Sequence, residues 1–199
     1  MSPKMRTRRM LADASGQSLV EMALIMPLFL VIVLGIVEVG YALIDQHVTT
    51  RLTREGSNLI SRDVPLQDAG AALRAMTSRP INFDDGSSKV IFSVLKRGET
   101  TGTTNYDKIF LYQRYEIGTY PGTSKLTTRG SGGFAPPNYE APNSDANANL
   151  QLTSGPANIV GVQGGMIYVT EIYTRHRLMT PLDRFGITVP STLYSIAYF

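Results

Sequence analysis

Residues 16–44 read GQSLVEMALIMPLFLVIVLGIVEVGYALI, and the rest of the chain is organised around them. Residues 22–37 are 16 consecutive positions without a charge, drawn from Met, Leu, Ile, Phe, Val and Ala and broken only by Pro27 and Gly35. Glu38 interrupts the run, and apolar character resumes to Ile44. As a helix, residues 19–44 extend roughly 39 Å at about 1.5 Å per residue. A bilayer core of roughly 30 Å needs about 20 residues, so the stretch is long enough to span with some tilt. It is apolar all round, which suits lipid or a helix bundle better than a soluble surface. The competing reading, a buried helix of a soluble protein, is disfavoured by the length.

The flanks orient the span. Residues 1–16 carry Lys4, Arg6, Arg8 and Arg9 against Asp13, whereas the far side opens Asp45-Gln46-His47. The positive-inside rule keeps the N-terminus in the cytoplasm and translocates the remainder. A secretory signal peptide is the alternative, with Gly40-Tyr41-Ala42 as a small-x-small cleavage site. It is the weaker reading, because the apolar run is long for a signal core and Glu38 stands just before that site. Glu21 is the unusual residue, since a carboxylate at the mouth of an apolar segment needs a partner or a route to the interface.

Gly16 followed five residues later by Glu21, directly after a basic leader, resembles type IV prepilins. Those are cut after a glycine and carry a glutamate at the fifth mature position. More narrowly, GQSLVEMALIMPLFL with the tail LGIVEVG (residues 34–40) resembles the N-terminal region of the TadE family, pseudopilin-like proteins of the Tad (tight adherence, Flp pilus) system. The match covers residues 16–44, about 30 of the chain's 199 residues, and the Glu, Pro and Gly spacings agree. Met22 stands where Flp major pilins usually have Tyr, which argues for a minor component.

The resemblance implies prepilin-peptidase cleavage between Gly16 and Gln17, a new α-amine at Gln17, and pairing of that amine with Glu21 of a neighbouring subunit. A free α-amine has a pKa of about 7.7–8 and is largely a cation at neutral pH. In low dielectric such a pair sets register, because misdocking leaves a buried charge alone. Pro27 frees a backbone carbonyl and permits bending, and Gly35 and Glu38 complete the helix-packing set. For Glu38, helix pairing and a charge snorkelling at the outer interface stand as alternatives. The implied partners are the membrane, the prepilin peptidase, other Tad pseudopilins and pilus assembly proteins. The implied location is the bacterial inner membrane, single-pass, with a periplasmic C-terminal domain. Incorporation in the fibre and residence in the membrane are both compatible with these residues.

Composition narrows the function class. The sequence pI is 9.2, but four of the 19 Lys and Arg and one of the 16 Asp and Glu lie in residues 1–16. The remainder carries 15 of each sign, so a nucleic-acid-binding patch is not expected. There is no cysteine, hence no disulfide, thiolate nucleophile or Cys metal site. His47 and His176 are isolated, no metal or other cofactor is expected, and no catalytic residue is assigned. No phosphate loop, Gly-x-Ser-x-Gly elbow or strand-linked dinucleotide fingerprint occurs. Gly161 to Gly165 leads into a strand and reads as a bulge or turn. Asp84-Asp85-Gly86 reads as a turn. Asn143 to Asn149 offers oxygens without an EF-hand order.

Beyond the span, Ile44, Val48, Leu52 and Leu59 predict that the helix continues, with Arg51 and Arg54 on its other side. The pattern weakens near Gly56-Ser57-Asn58, and Val64-Pro65 stops it. A second helix is expected from Pro65 to Arg79, with Leu66, Ala69, Leu73 and Met76 on one face. Four strands are expected, at 89–96, 108–117, 166–175 and 192–199. Residues 118–158 are rich in Gly, Thr, Ser, Asn and Pro and read as a long flexible loop, a surface excursion or a partner-binding element. The expected class is α+β: a long N-terminal transmembrane helix continuing into a domain with a short helix and a small antiparallel sheet, a pilin-like layout. The expected divisions are a leader at 1–16, a transmembrane helix at 17–44 and an extracytoplasmic domain at 45–199. Weighed against a minor pseudopilin-like subunit of a Tad machine is a signal-anchored periplasmic binding module or hydrolase unrelated to pili. The second leaves Glu21 unexplained.

Overall fold

A computed structural model describes residues 4–155, 162–186 and 191–199, with side chains from residue 16 onward except that of Phe185. The leader side chains Lys4, Arg6, Arg8, Arg9 and Asp13, the end of the 118–158 segment and Gly161 lie outside the described set. Helix α1 runs Lys4–Ile60 and α2 runs Leu66–Met76. Six strands follow among the described residues: β1 Ser88–Arg97, β2 Ile109–Ile117, β3 Thr127–Thr128, β4 Leu152–Ser154, β5 Met166–Arg175 and β6 Thr192–Tyr198. The chain divides into two compact units: Met1–Ala42 with Leu178–Val189, and Leu43–Arg177 with Pro190–Phe199. The class is α+β, as expected.

In the second unit, β1, β2, β5 and β6 form one antiparallel sheet in the order β2-β1-β5-β6. Period-two alternation gives the sheet two apolar faces. Val90, Phe92, Val94 and Ile172 pack with Leu52 and Ile60 of α1 and with Leu66, Ala69 and Leu73 of α2. Leu95, Leu111, Ile167 and Val169 point the other way and pack with Leu126. A register shift at Val94/Leu95 re-aims the end of β2. Phe110 there packs with Ala141 and Leu150.

The second face is covered by the described part of the 118–158 segment, expected as a flexible loop. That part, 118–155, contributes the buried Leu126, Ala141 and Leu150. It also contributes the small β3–β4 ribbon. Backbone bonds join it to the outer edge of β2: Arg114 N–H donates to Tyr139 O at 3.1 Å and Ala141 N–H donates to Tyr112 O at 3.0 Å. Asn105 donates to Ser144 O at 2.7 Å and to Asn147 O at 2.9 Å, fastening the Asn-rich stretch.

Two helix expectations are corrected. Helix α1 continues through Gly56-Ser57-Asn58 to Ile60, just short of the expected stop at Val64-Pro65, but its buried face centres on Thr49, Leu52, Thr53, Gly56, Ser57 and Ile60 rather than on Ile44, Val48, Leu52 and Leu59. Val48 and Leu59 are only partly buried and Ile44 is exposed. The physical reason is close approach: a Cβ on Gly56 would lie 2.8 Å from Thr170 Cγ2, so only small side chains fit there. The hydroxyls on this face are satisfied locally, Thr49 to Asp45 O at 2.8 Å and Thr53 to Thr49 O at 2.7 Å. Ser57 donates across to Ala197 O of β6 at 3.0 Å. Helix α2 stops at Met76 rather than Arg79, and Met76 is exposed. Thr77 is extended, its N–H donating back to Arg74 O, and Gly70 rather than Met76 completes the packed face, against Ile117.

Candidate functional site: the N-terminal half of helix α1

In the first unit, residues 16–42 present an apolar surface that the described residues leave largely open. Leu19, Leu24, Ile25, Leu28, Phe29, Ile36 and Val39 are all more than half exposed. Within Gly16–Ile60 the helix is long and apolar enough to cross a membrane, and its most apolar window is not buried by the rest of the chain. The helix passes through Pro27 without interruption. Pro27 has no N–H, so the Ala23 carbonyl loses its intrahelical donor.

The residues singled out in the sequence fall as follows. Gly16 sits inside the helix, with nothing within 4 Å of where a Cβ would stand. Gly35 and Gly40 are equally open. Glycine in a helix interior costs roughly 0.5–1 kcal/mol relative to Ala, and neither space nor backbone conformation within this chain demands it at these three positions. Glu21 is exposed, one turn after Gln17, whose side-chain amide donates to Glu21 Oε1 at 3.1 Å. Gly16, Gln17 and Glu21 therefore share one end of the open surface.

Glu38 is different, being 1 % exposed inside a helix whose neighbours are open. Its carboxylate accepts from Met179 N–H (3.2 Å to Oε1 and 3.1 Å to Oε2), from Thr180 N–H at 2.9 Å and from the Thr180 hydroxyl at 2.6 Å. Charge-assisted bonds of this kind are about twice as strong as neutral ones. The donors sit just ahead of a short 3-10 turn at Pro181–Phe185, closed by Gly186 in the left-handed conformation (φ 74°). Sequence reasoning missed this partner, which lies 142 residues away in the chain. The one available signal was a carboxylate inside an apolar helix.

Among the described residues of the second unit, two polar clusters are built on a buried titratable side chain, Glu171 in one and His176 in the other. Glu171 on β5 is fully buried and accepts from Tyr194 O–H at 2.8 Å and Lys125 N–H at 2.8 Å, and from the Ser124 hydroxyl. Arg114 donates to Ser124 Oγ at 3.0 Å and Leu126 O at 2.8 Å. Burial pulls the Arg114 guanidinium below its ordinary range, while the Glu171 charge acts in the opposite direction. Burial and then the bond to Glu171 push the Tyr194 phenol well up. Tyr173, held 4.6 Å from the Tyr194 ring, is pushed up to about 12 by burial and the Glu171 charge. Every member is engaged by another, so the cluster reads as a fastening of 123–126 to the sheet. In the other cluster, His176 Nδ1 lies 2.7 Å from Asp45 Oδ2. His47 is exposed. In the 84–86 turn, Asp84 pairs with Arg74, and the Ser87 side chain and N–H hold the Asp85 carboxyl below its ordinary value. Among the described residues no group of three or more His, Cys, Asp or Glu could hold a metal ion.

Compared with known proteins, residues 16–58 match the family described as TadE-like protein, so the N-terminal segment of this chain is similar to that family. No curated protein and no solved structure matches the chain.

Proposed function

With a TadE-like segment as the premise, we propose that this chain is a minor pseudopilin-like, membrane-anchored component of a Tad pilus assembly system, acting by helix–helix association. The observation that carries the reading is the open apolar surface of residues 19–44 in the segment that matches the family. A surface of that size needs cover, and lipid or like helices supply it. Gly35 and Gly40 support the second form of cover, since small residues let helix backbones approach closely.

The proposed sequence of events begins with the positive leader held on the cytoplasmic side of the inner membrane. The prepilin peptidase then hydrolyses the Gly16–Gln17 amide, leaving the Gly16 carboxylate on the leader and an α-amine on Gln17. Removing the leader frees that amine beside the Gln17–Glu21 turn, where a neighbouring subunit's Glu21 can pair with it. Pro27 leaves one carbonyl available for local adjustment as helices pack. The second unit faces the periplasm and presents the folded 118–155 segment to partners.

The test is deletion and complementation in a cell that assembles Tad pili. Loss of surface pili on deletion, restored by the intact chain and not by Glu21→Ala at equal membrane abundance, is the expected result. Normal piliation in the deletion strain would overturn the reading.

A further inference from the structure

The loop that covers Glu38 has a property of its own. Leu178 and Met179 are exposed while Thr180 and Leu182 are buried, and Asp183 and Arg184 are exposed on the following turn. The loop therefore shows solvent two adjacent large apolar side chains flanked by charge. It is fixed to the helix by the bonds from Met179 and Thr180 to Glu38. Its level along the helix follows from that attachment. Glu38 lies 19 residues beyond Leu19, roughly 28 Å at about 1.5 Å per residue. That is close to the thickness of a bilayer core, roughly 30 Å.

We infer that the 178–186 loop is a second membrane contact, an interfacial anchor that seats Leu178 and Met179 in the headgroup region of the outer face, with Glu38 as the residue that holds it there. This rests on the proposal that residues 19–44 span the membrane. The chemistry is reciprocal. A carboxylate at that depth is costly when it faces lipid, and so are backbone N–H groups with no water to bond. Placed together, the Glu38 carboxylate and the Met179 and Thr180 N–H groups satisfy one another. In bulk water neither would need the other. The open helix surface continues beside the loop at Val37 and Val39, so the exposed Leu178 and Met179 extend an apolar surface already present. The loop is not a second span: its apolar exposure is two residues with charge beside it, the pattern of a segment lying in the interface.

The chain has no cysteine, so single labels can be placed cleanly. The full chain would be reconstituted in vesicles of phosphatidylethanolamine and phosphatidylglycerol carrying a lipid nitroxide near the headgroup. A fluorophore would be attached in turn at Met179→Cys, Leu30→Cys and Thr101→Cys, the last in the exposed β1–β2 turn. The expected result is lipid quenching at Met179 roughly two-fold or more above that at Thr101, as for a group buried about 5–10 Å into the interface. Glu38→Ala should bring the Met179 signal down to the Thr101 level, and Glu38→Gln, which keeps one acceptor oxygen, should retain most of it. Met179 quenched like Thr101 while Leu30 is reached by a nitroxide deep in the acyl chain would overturn the anchor and leave the span standing. A Leu30 label out of reach of both nitroxides would overturn the span and the anchor together. Unchanged Met179 quenching in Glu38→Ala would overturn the holding role of Glu38.

Discussion

Between residues 19 and 44 helix α1 leaves Leu24, Phe29 and Ile36 open, whereas between 49 and 60 it buries Leu52 and Ile60 against the sheet with Thr49, Thr53, Gly56 and Ser57. The first half is mostly large and apolar and, apart from the loop over Glu38, has little cover from the described residues. The second half is mixed, small and polar where it is most buried, and its hydroxyls bond within the chain. Hydrophobicity alone thus misleads about which half is the core. In the second half small side chains set a close helix–sheet distance, and packing follows from shape. In the first half the apolar surface is matched to a solvent or partner that the chain does not contain. Glu38 shows the boundary in one residue: a charge in the open half that is buried because a distant loop was brought to it.

This contrast can be broken most severely inside the second unit. Glu171→Ala leaves the Tyr194 and Ser124 hydroxyls and the Lys125 N–H without their shared acceptor, and at about 1–3 kcal/mol per unsatisfied buried group the combined cost is about 3–5 kcal/mol. Urea unfolding followed by circular dichroism should show that loss, with release of 123–126 read as faster proteolysis near Lys125. A sharper pair is Ile60→Ala against Ile36→Ala. The first deletes a buried side chain and is expected to destabilise by about 2–5 kcal/mol. The second lies on the open half and should leave the unfolding midpoint of the domain within about 0.5 kcal/mol of wild type. Equal losses in the two would erase the distinction between the halves. Smaller still is Ser57→Ala, which removes the donor to Ala197 O and should cost about 1 kcal/mol in the same assay.

The gentlest probe is alkaline pH. Tyr173 and Tyr112 are each raised from 10.0 to about 12, mainly by burial, so the folded state holds their protons more tightly than the unfolded one. Stability from this source is complete below about pH 10 and falls as pH rises from about 10 to 12. Absorbance titration should show these phenols ionising together with unfolding. Free ionisation near pH 10 with the fold intact would contradict the burial of Tyr173.

What the sequence disclosed divides along the same line. The long apolar helix, the four long strands and the α+β class were legible because each rests on a periodicity or on length. The true buried face of α1 was not, since Thr49, Thr53 and Ser57 count as polar in any pattern although their hydroxyls are bonded in place. The order of 118–155 was not legible either. It rests on side-chain bonds from Asn105 and Arg114 and on apolar residues as far apart as Leu126, Ala141 and Leu150, which form no local pattern. At the candidate site, Gly16 and Glu21 drew their roles from the resemblance to prepilins and Pro27 from its place in the apolar run, whereas the partner of Glu38 depends on a tertiary contact that no local pattern encodes.

The central claim is that the open half of α1 is the mature N-terminal end of an assembling subunit. The most direct measurement is the N-terminal residue of the mature protein, by mass spectrometry of membranes with and without the prepilin peptidase. The account predicts a start at Gln17 that is lost without the peptidase. A start at Leu43, which would discard the open half altogether, or an intact Met1 in the presence of active peptidase, would contradict it.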